Sequence, residues 1–296
     1  MKSLVTGIAG FTGSYLSEAL VKRGGSVVGI SQSNAVIENV ERVHAVDITD
    51  LAAMKSVVRT ERPDFVVHLA GVSSVVHDNV DEIYRTNVMG TRNLLESLTA
   101  LAEPPQCVIL ASSANIYGNA REGVLEESLP PAPANDYGVA KIAMEYVAAL
   151  YGTRLPVIIT RPFNYTGRGQ SSDFIVPKIV SHARDRSSVI ELGNLDVERD
   201  FSDVRTVVDV YARLLAEPRA IGGTFNICSG SPVSLRQILD LVAEITGHRM
   251  DVRVNPAFVR ANEVRTLSGS AARLKRVIGP LTSIPLKETL RWMLEG

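Results

Sequence analysis

A chain of 296 residues, 45% apolar and 21% charged, is long enough to bury a full core, and this composition excludes a disordered polar chain. Its net charge of −1 excludes a global field that would draw it to nucleic acid or to an anionic membrane. No apolar run approaches the roughly 20 residues that span a bilayer, and Met1 to Val5 lead into a glycine turn rather than a signal-peptide core, so a soluble cytoplasmic protein is expected.

In chain order, short β-rich apolar runs at residues 3–6, 27–30, 65–69, 108–111 and 157–160 alternate with amphipathic stretches at about 11–23, 51–59, 81–102 and 136–151. That alternation predicts parallel strands with crossover helices, a Rossmann-like doubly wound α/β domain over residues 1–162. After Arg161 and Pro162 the rhythm weakens. A Gly- and Ser-rich loop at 166–172 precedes helices near 175–184 and 204–215, a strand at 224–227, and helices near 235–245 and 287–294. A smaller α/β lobe is expected from residues 163–203 and 229–296, with about 204–228 returning to the sheet. Cys107 and Cys228 sit in apolar strand-like runs and read as reduced core thiols.

Thr6-Gly7-Ile8-Ala9-Gly10-Phe11-Thr12-Gly13 follows the first strand and opens the first helix, the context that a phosphate-binding turn requires. Glycines let the backbone approach a pyrophosphate, and the helix amino terminus offers it unpaired N–H donors and the positive end of a dipole. A dinucleotide is therefore expected on Gly7, Gly10, Phe11, Thr12 and Gly13. After the second strand, Ser31-Gln32-Ser33-Asn34 carries neither an acid to repel a 2′-phosphate nor an arginine to clamp one, so NADPH and NADH are both admitted. Asp47, after the third strand, is positioned either to bond the adenine or, like Asp50, to cap a helix.

Tyr137 and Lys141 stand four residues apart, on one helix face. A free phenol has a pKa of about 10, and a neighbouring ammonium and an oxidised nicotinamide both favour phenolate, so acid–base work by Tyr137 is expected to rest on a lowered pKa. Ser112 and Ser113 follow the fifth strand at the ligand-facing edge; Ser113 is the better hydroxyl donor, although either serine can instead cap a turn.

These residues resemble the extended short-chain dehydrogenase/reductases that act on nucleotide sugars. The resemblance rests on the glycine loop, His68-Leu69-Ala70-Gly71, Asn87-Val88 with Gly90-Thr91, Ser112-Ser113 with Tyr117-Gly118, and Tyr137 with Lys141, and it spans nearly the whole chain. It implies a catalytic triad of Ser113, Tyr137 and Lys141. It also implies cofactor contacts by Ser31, Asp47, Ile48, Leu69, Ala70, Gly71, Asn87, Tyr137, Lys141 and Arg161. Asn164-Tyr165-Thr166-Gly167, the run at 192–204 and Phe225 to Gly230 look like GDP-sugar enzymes, which implies substrate contacts by Asn164, Arg199, Arg260 and Glu263. Bidentate guanidinium–phosphate pairing suits the two arginines. Arg273, Lys275 and Arg276 read as a solvated helix face.

Dehydratases of this group need acidic groups just after the hydroxyl residue, where this chain has Ala114 and Asn115, so that activity is disfavoured. The resemblance implies reduction of the 4-keto group of GDP-4-keto-6-deoxy-D-mannose to GDP-D-rhamnose, with the 6-deoxy-D-talose product, a 4-epimerase, and a non-catalytic dinucleotide sensor as alternatives. The histidines and cysteines lack metal-ligand spacing, and no metal is expected. The family also implies a homodimer built from the helices at 81–102 and 136–151.

Overall fold

The computed structural model describes residues 1–73, 79–119, 123–258 and 264–296. The first half runs β1 (Lys2–Thr6), α1 (Phe11–Lys22), β2 (Ser26–Ser31), β3 (Arg42–Ala45), α2 (Leu51–Glu61), β4 (Phe65–His68), α3 (Val80–Tyr84), α4 (Thr91–Thr99), β5 (Cys107–Ala111), β6 (Gly123–Leu125) and α5 (Asp136–Ala149). It continues through β7 (Val157–Pro162), β8 (Asn164–Thr166), α6 (Ile175–Arg184), β9 (Val189–Leu192), β10 (Glu198–Asp203), α7 (Val204–Leu215) and β11 (Thr224–Ile227). The remainder is β12 (Pro232–Ser234), α8 (Leu235–Thr246), β13 (Asp251–Val254), β14 (Thr266–Gly269), α9 (Ala272–Ile278) and α10 (Leu286–Leu294).

Seven strands form one sheet in the order β3-β2-β1-β4-β5-β7-β11, and every pairing in it is parallel. Successive side chains on a strand point to opposite faces, so each apolar run feeds two cores. Leu4, Val28, Val66, Val108 and Leu110 pack with Met54 and Val58 of α2, Leu94 and Leu98 of α4, and Met144 of α5. Val5, Val27, Val67, Cys107 and Ile109 pack on the other side with Leu16 and Leu20 of α1 and Val207 and Tyr211 of α7. This double burial is why the strands read as continuous apolar runs.

The stretch at 81–102 is not one regular helix. Between α3 and α4, Arg85–Gly90 forms a wider helical turn of the kind often found at functional sites. Gly90 lies so close to Ile48 that an added Cβ would come within 2.5 Å of its side chain. The turn presents Asn87 toward β4.

The second sheet, β12-β10-β14-β6 with β8 on β10, has no counterpart in the sequence pattern. Its strands are three to six residues long, and β10 reads Glu-Arg-Asp-Phe-Ser-Asp. Its stability comes from distant partners. Asp200, fully buried, accepts from the backbone N–H groups of Ser229, Gly230 and Gly269 and from the Ser229 and Ser268 hydroxyls. β9 and β13 pair separately, and α6, α8 and α10 enclose a third apolar cluster around Ile179, Ile238 and Leu290. Among the described residues no helix is long and apolar enough to cross a membrane.

Candidate active site

Strand order reverses about β1, and β1 and β4 open a crevice at their carboxyl ends. The glycine loop and the residues after β4 meet there. Gly7 has φ +69°, and a Cβ on it would lie 2.7 Å from the Ala70 nitrogen. A Cβ on Gly13 would lie 2.3 Å from the Gly7 carbonyl oxygen, so α1 rests directly on the loop. Gly10 caps α1 without a side-chain hydrogen bond, and the first turn carries no acid. This uncapped, carboxylate-free helix end, in a cradle that side chains would fill, fits a dinucleotide pyrophosphate. Ser31 ends β2, while Asp47 and Ile48 follow β3. Asp50, not Asp47, caps α2; Asp47 is exposed and accepts from the Thr49 N–H.

Ser113, Tyr137, Lys141 and Asn87 are all buried. Asn135 caps α5, and the helix then carries Tyr137 and Lys141 on one face, with the Lys141 ammonium 5.7 Å from the Tyr137 ring centroid. Lys141 donates to the Ala111 carbonyl at 2.8 Å. A Cβ on Gly71 would come within 2.4 Å of Asn87 Oδ1 and 3.6 Å of Lys141 Nζ, which shows how closely these groups converge. Asn87 donates to the Val72 carbonyl, and its Oδ1 has no hydrogen-bond partner among the described residues. Ser113 both caps the short turn Ala114–Tyr117 and lies beside the Tyr137 phenol.

Burial raises the Tyr137 pKa above the ordinary phenol value; the Ser113 hydroxyl pulls it down and Tyr165 adds to the rise. The Lys141 ammonium is held on the Ala111 carbonyl, beside the Tyr137 ring. Burial pushes Lys141 itself down to about 8, against the pull of the Glu145 carboxylate. Tyr137 is thus a protonated acid at neutral pH.

Two buried networks brace this site, and neither was read from the sequence. Glu145, one turn beyond Lys141, accepts from Ser112 Oγ at 2.5 Å and from Arg161 Nε and Nη2 at 3.0 and 2.7 Å. Arg161 also donates to Tyr117 Oη and the Glu127 carbonyl. Four of its five donors are therefore committed inside the protein, which leaves one Nη2 N–H. The i,i+4 spacing of Lys141 and Glu145 was the available signal.

His68 is the second brace. Thr91 Oγ1 gives its proton to the Asn87 carbonyl, so it must accept from His68 Nε2 at 2.9 Å. His68 Nδ1 then accepts from Thr6 Oγ1 at 2.7 Å, and Thr6 accepts from the Ala70 N–H. Burial, aided by Lys141, depresses the His68 pKa to about 3. A neutral imidazole with an unfolded pKa of about 6.5 contributes stability that is fully present above that pH and is lost toward pH 3. Relative to His68→Gln, the wild type is expected to lose about 1.4 kcal/mol per pH unit below pH 6.5 in urea unfolding. Parallel losses in both proteins would contradict this role.

Among the substrate residues, Asn164 lies exposed on β8 and donates to the Asp200 carbonyl. Arg199 on β10 donates to the carbonyls of Glu198 and Val264. Arg260 and Glu263 lie outside the described residues. Arg273, Lys275 and Arg276 are exposed on α9, as a solvated face would be. Tyr165, which the sequence did not single out, ties β8 to the glycine loop through Thr12 Oγ1 at 2.8 Å and stacks on Phe11. Among the described residues no group of three His, Cys, Asp or Glu is arranged to hold a metal.

Residues 4–293 match the family described as GDP-mannose 4,6 dehydratase. The chain is 38% identical over 280 residues to GDP-6-deoxy-D-talose 4-dehydrogenase of Aggregatibacter actinomycetemcomitans, covering 94% of this chain and 92% of that one. It is 32% identical over 301 residues to GDP-6-deoxy-D-mannose reductase of Pseudomonas aeruginosa, covering 98% and 95%. Among solved structures it resembles a candidate epimerase from Burkholderia cenocepacia J2315, with TM-score 0.93, 46% identity and 99% and 97% coverage. It also resembles RMD from Pseudomonas aeruginosa complexed with NADPH, with TM-score 0.86, 29% identity and 99% and 98% coverage. With these matches running along almost its full length, the chain belongs to the GDP-mannose 4,6 dehydratase family, within the extended short-chain dehydrogenase/reductases.

Proposed function

We propose that this chain reduces the 4-keto group of GDP-4-keto-6-deoxy-D-mannose, using NADPH or NADH, to give GDP-D-rhamnose. The observation that carries a reductase reading is the enclosed, protonated Tyr137 beside the Ser113 hydroxyl. A ketone being reduced needs a proton and hydrogen-bond donors at its oxygen, and these two groups supply them. When bound, the reduced nicotinamide supplies the hydride. The amides from Gly10 to Gly13 would hold its pyrophosphate, Ser31, Asp47 and Ile48 its adenosine end, and Leu69 to Gly71, Asn87 and Lys141 its nicotinamide end. Asn164 and Arg199, with Arg260 and Glu263, are proposed to hold the GDP-sugar.

The family name includes a dehydratase, but Ala114 and Asn115 occupy the positions where that chemistry needs an acid–base group. The relatives named for GDP-6-deoxyhexoses favour a GDP substrate. A second product reading, GDP-6-deoxy-D-talose, is favoured by the higher identity to the talose enzyme. The test is to supply GDP-4-keto-6-deoxy-D-mannose with NADPH or NADH and to identify the deoxyhexose formed. Stoichiometric cofactor oxidation supports the reductase, and the sugar's configuration at carbon 4 separates the two products; oxidation of neither cofactor overturns the proposal.

The family's dimer is part of the same reading. Val139 and Tyr146 on α5 and Leu150, which caps it, recur at helical spacing, with Tyr146 and Leu150 66% and 73% exposed, and the turn that carries exposed Met89 packs against α5. A Tyr146→Glu, Leu150→Glu double variant is expected to run as a monomer in light scattering where the wild type runs as a dimer. Equal masses for the two proteins count against this face.

A further inference from the structure

We propose that Asn115 is a positioning residue that fixes Ser113 as a hydrogen-bond donor and so commits the site to a substrate oxygen that must be stabilised as it gains electrons. Ser113 Oγ accepts two hydrogen bonds from the same residue, one from the Asn115 backbone N–H at 3.1 Å and one from Asn115 Nδ2 at 3.0 Å. A hydroxyl has two lone pairs and one proton. With both lone pairs engaged on the turn, only the proton remains, and it is directed outward, on the side where the Tyr137 phenol lies.

The turn that makes this arrangement is closely packed. Ser113 is extended at φ −159°, and a Cβ on Gly138, next to Tyr137, would lie 2.7 Å from the Asn115 carbonyl oxygen. A Cβ on Gly118, at the other end of the turn, would lie 1.8 Å from the Ala132 oxygen. The Asn115 backbone therefore packs against α5, and its amide is held on Ser113 by the Nδ2 hydrogen bond. A carboxylate here has no N–H to give. It would accept the Ser113 proton, turn the hydroxyl inward and leave the substrate oxygen with one donor fewer.

The inference rests on the ketone-reductase reading above for its kinetic arm only. Asn115→Asp is expected to lower kcat for ketosugar reduction by about 10²-fold with KM little changed, the scale of losing one oxyanion donor. Asn115→Ala, which keeps the backbone donor, should lose less. The Ser113→Ala, Asn115→Asp double variant should be no slower than Ser113→Ala alone, because both remove the same donor. A general structural defect would add to the loss instead. The second arm needs no substrate: one Asn115 Nδ2 proton should resonate downfield in ¹H–¹⁵N spectra of the wild type and move on Ser113→Ala. Wild-type kcat in Asn115→Asp, additive losses in the double variant, or Nδ2 protons indifferent to Ser113→Ala each overturn the proposal. A wild type inert toward ketosugars sinks the reductase reading, and the amide spectrum then decides the Asn115 assignment by itself.

Discussion

Replacing Tyr137 with Phe is expected to lower turnover by about 100-fold or more while leaving nucleotide-sugar binding largely intact. The ring, carried on α5, is 9% exposed with the Lys141 ammonium beside it, and Phe preserves all of that. What disappears is the phenol proton placed with Ser113 at the site. Because burial raises the Tyr137 pKa, the phenol is protonated throughout the neutral range, the state that reduction consumes. Reduction should therefore run at a level rate through neutral pH, whereas the reverse oxidation, which needs the phenolate, should climb as pH rises. Lys141, brought down to about 8, is the first of the pair to lose its proton, so reduction is expected to decline above that pH. Initial rates in both directions check the pattern. Full turnover in Tyr137→Phe would falsify the assignment.

The second large effect lies in the glycine loop, where two neighbouring positions are expected to fail in different ways. A Cβ on Gly13 would meet the Gly7 oxygen at 2.3 Å, Ile8 Cα at 2.6 Å and the Ile8 oxygen at 2.7 Å, all of them backbone atoms that cannot rotate aside. Gly13→Ala must lift α1 off β1 and should destabilise the chain by about 3 kcal/mol, with loss of dinucleotide binding. At Gly10 the same methyl meets only the Gly7 oxygen, at 3.1 Å, and the backbone at φ −77° accepts alanine. Gly10→Ala should keep a melting temperature near that of the wild type and lose affinity, because its methyl enters the cradle. Thermal unfolding and a dinucleotide fluorescence titration separate the two variants. An unchanged melting temperature in Gly13→Ala contradicts the packing argument.

The large sheet was legible because parallel strands buried on both faces leave uninterrupted apolar runs; α6 and α7 begin and end where their spacing predicts. The small sheet was not. β10 is polar at every position but Phe201, and Asp200 is buried only because Ser229 and Gly230 from one segment, and Ser268 and Gly269 from another, donate to it. No local pattern records partners so far away. The same limit separates the parts of the site. Tyr137 and Lys141 lie one helical turn apart, so spacing reveals them, whereas the pairing of the Arg161 guanidinium with Glu145, 16 positions away in the chain, leaves no local pattern.

By itself the sequence determined a dinucleotide-binding α/β chain with a Tyr–Lys pair on one helix, because glycine placement, strand alternation and i,i+4 spacing are local properties. The sign of the Tyr137 shift and the neutral state of His68 were decided only by the tertiary structure. Each depends on how completely a polar group is removed from water and on which groups fold against it from elsewhere in the chain.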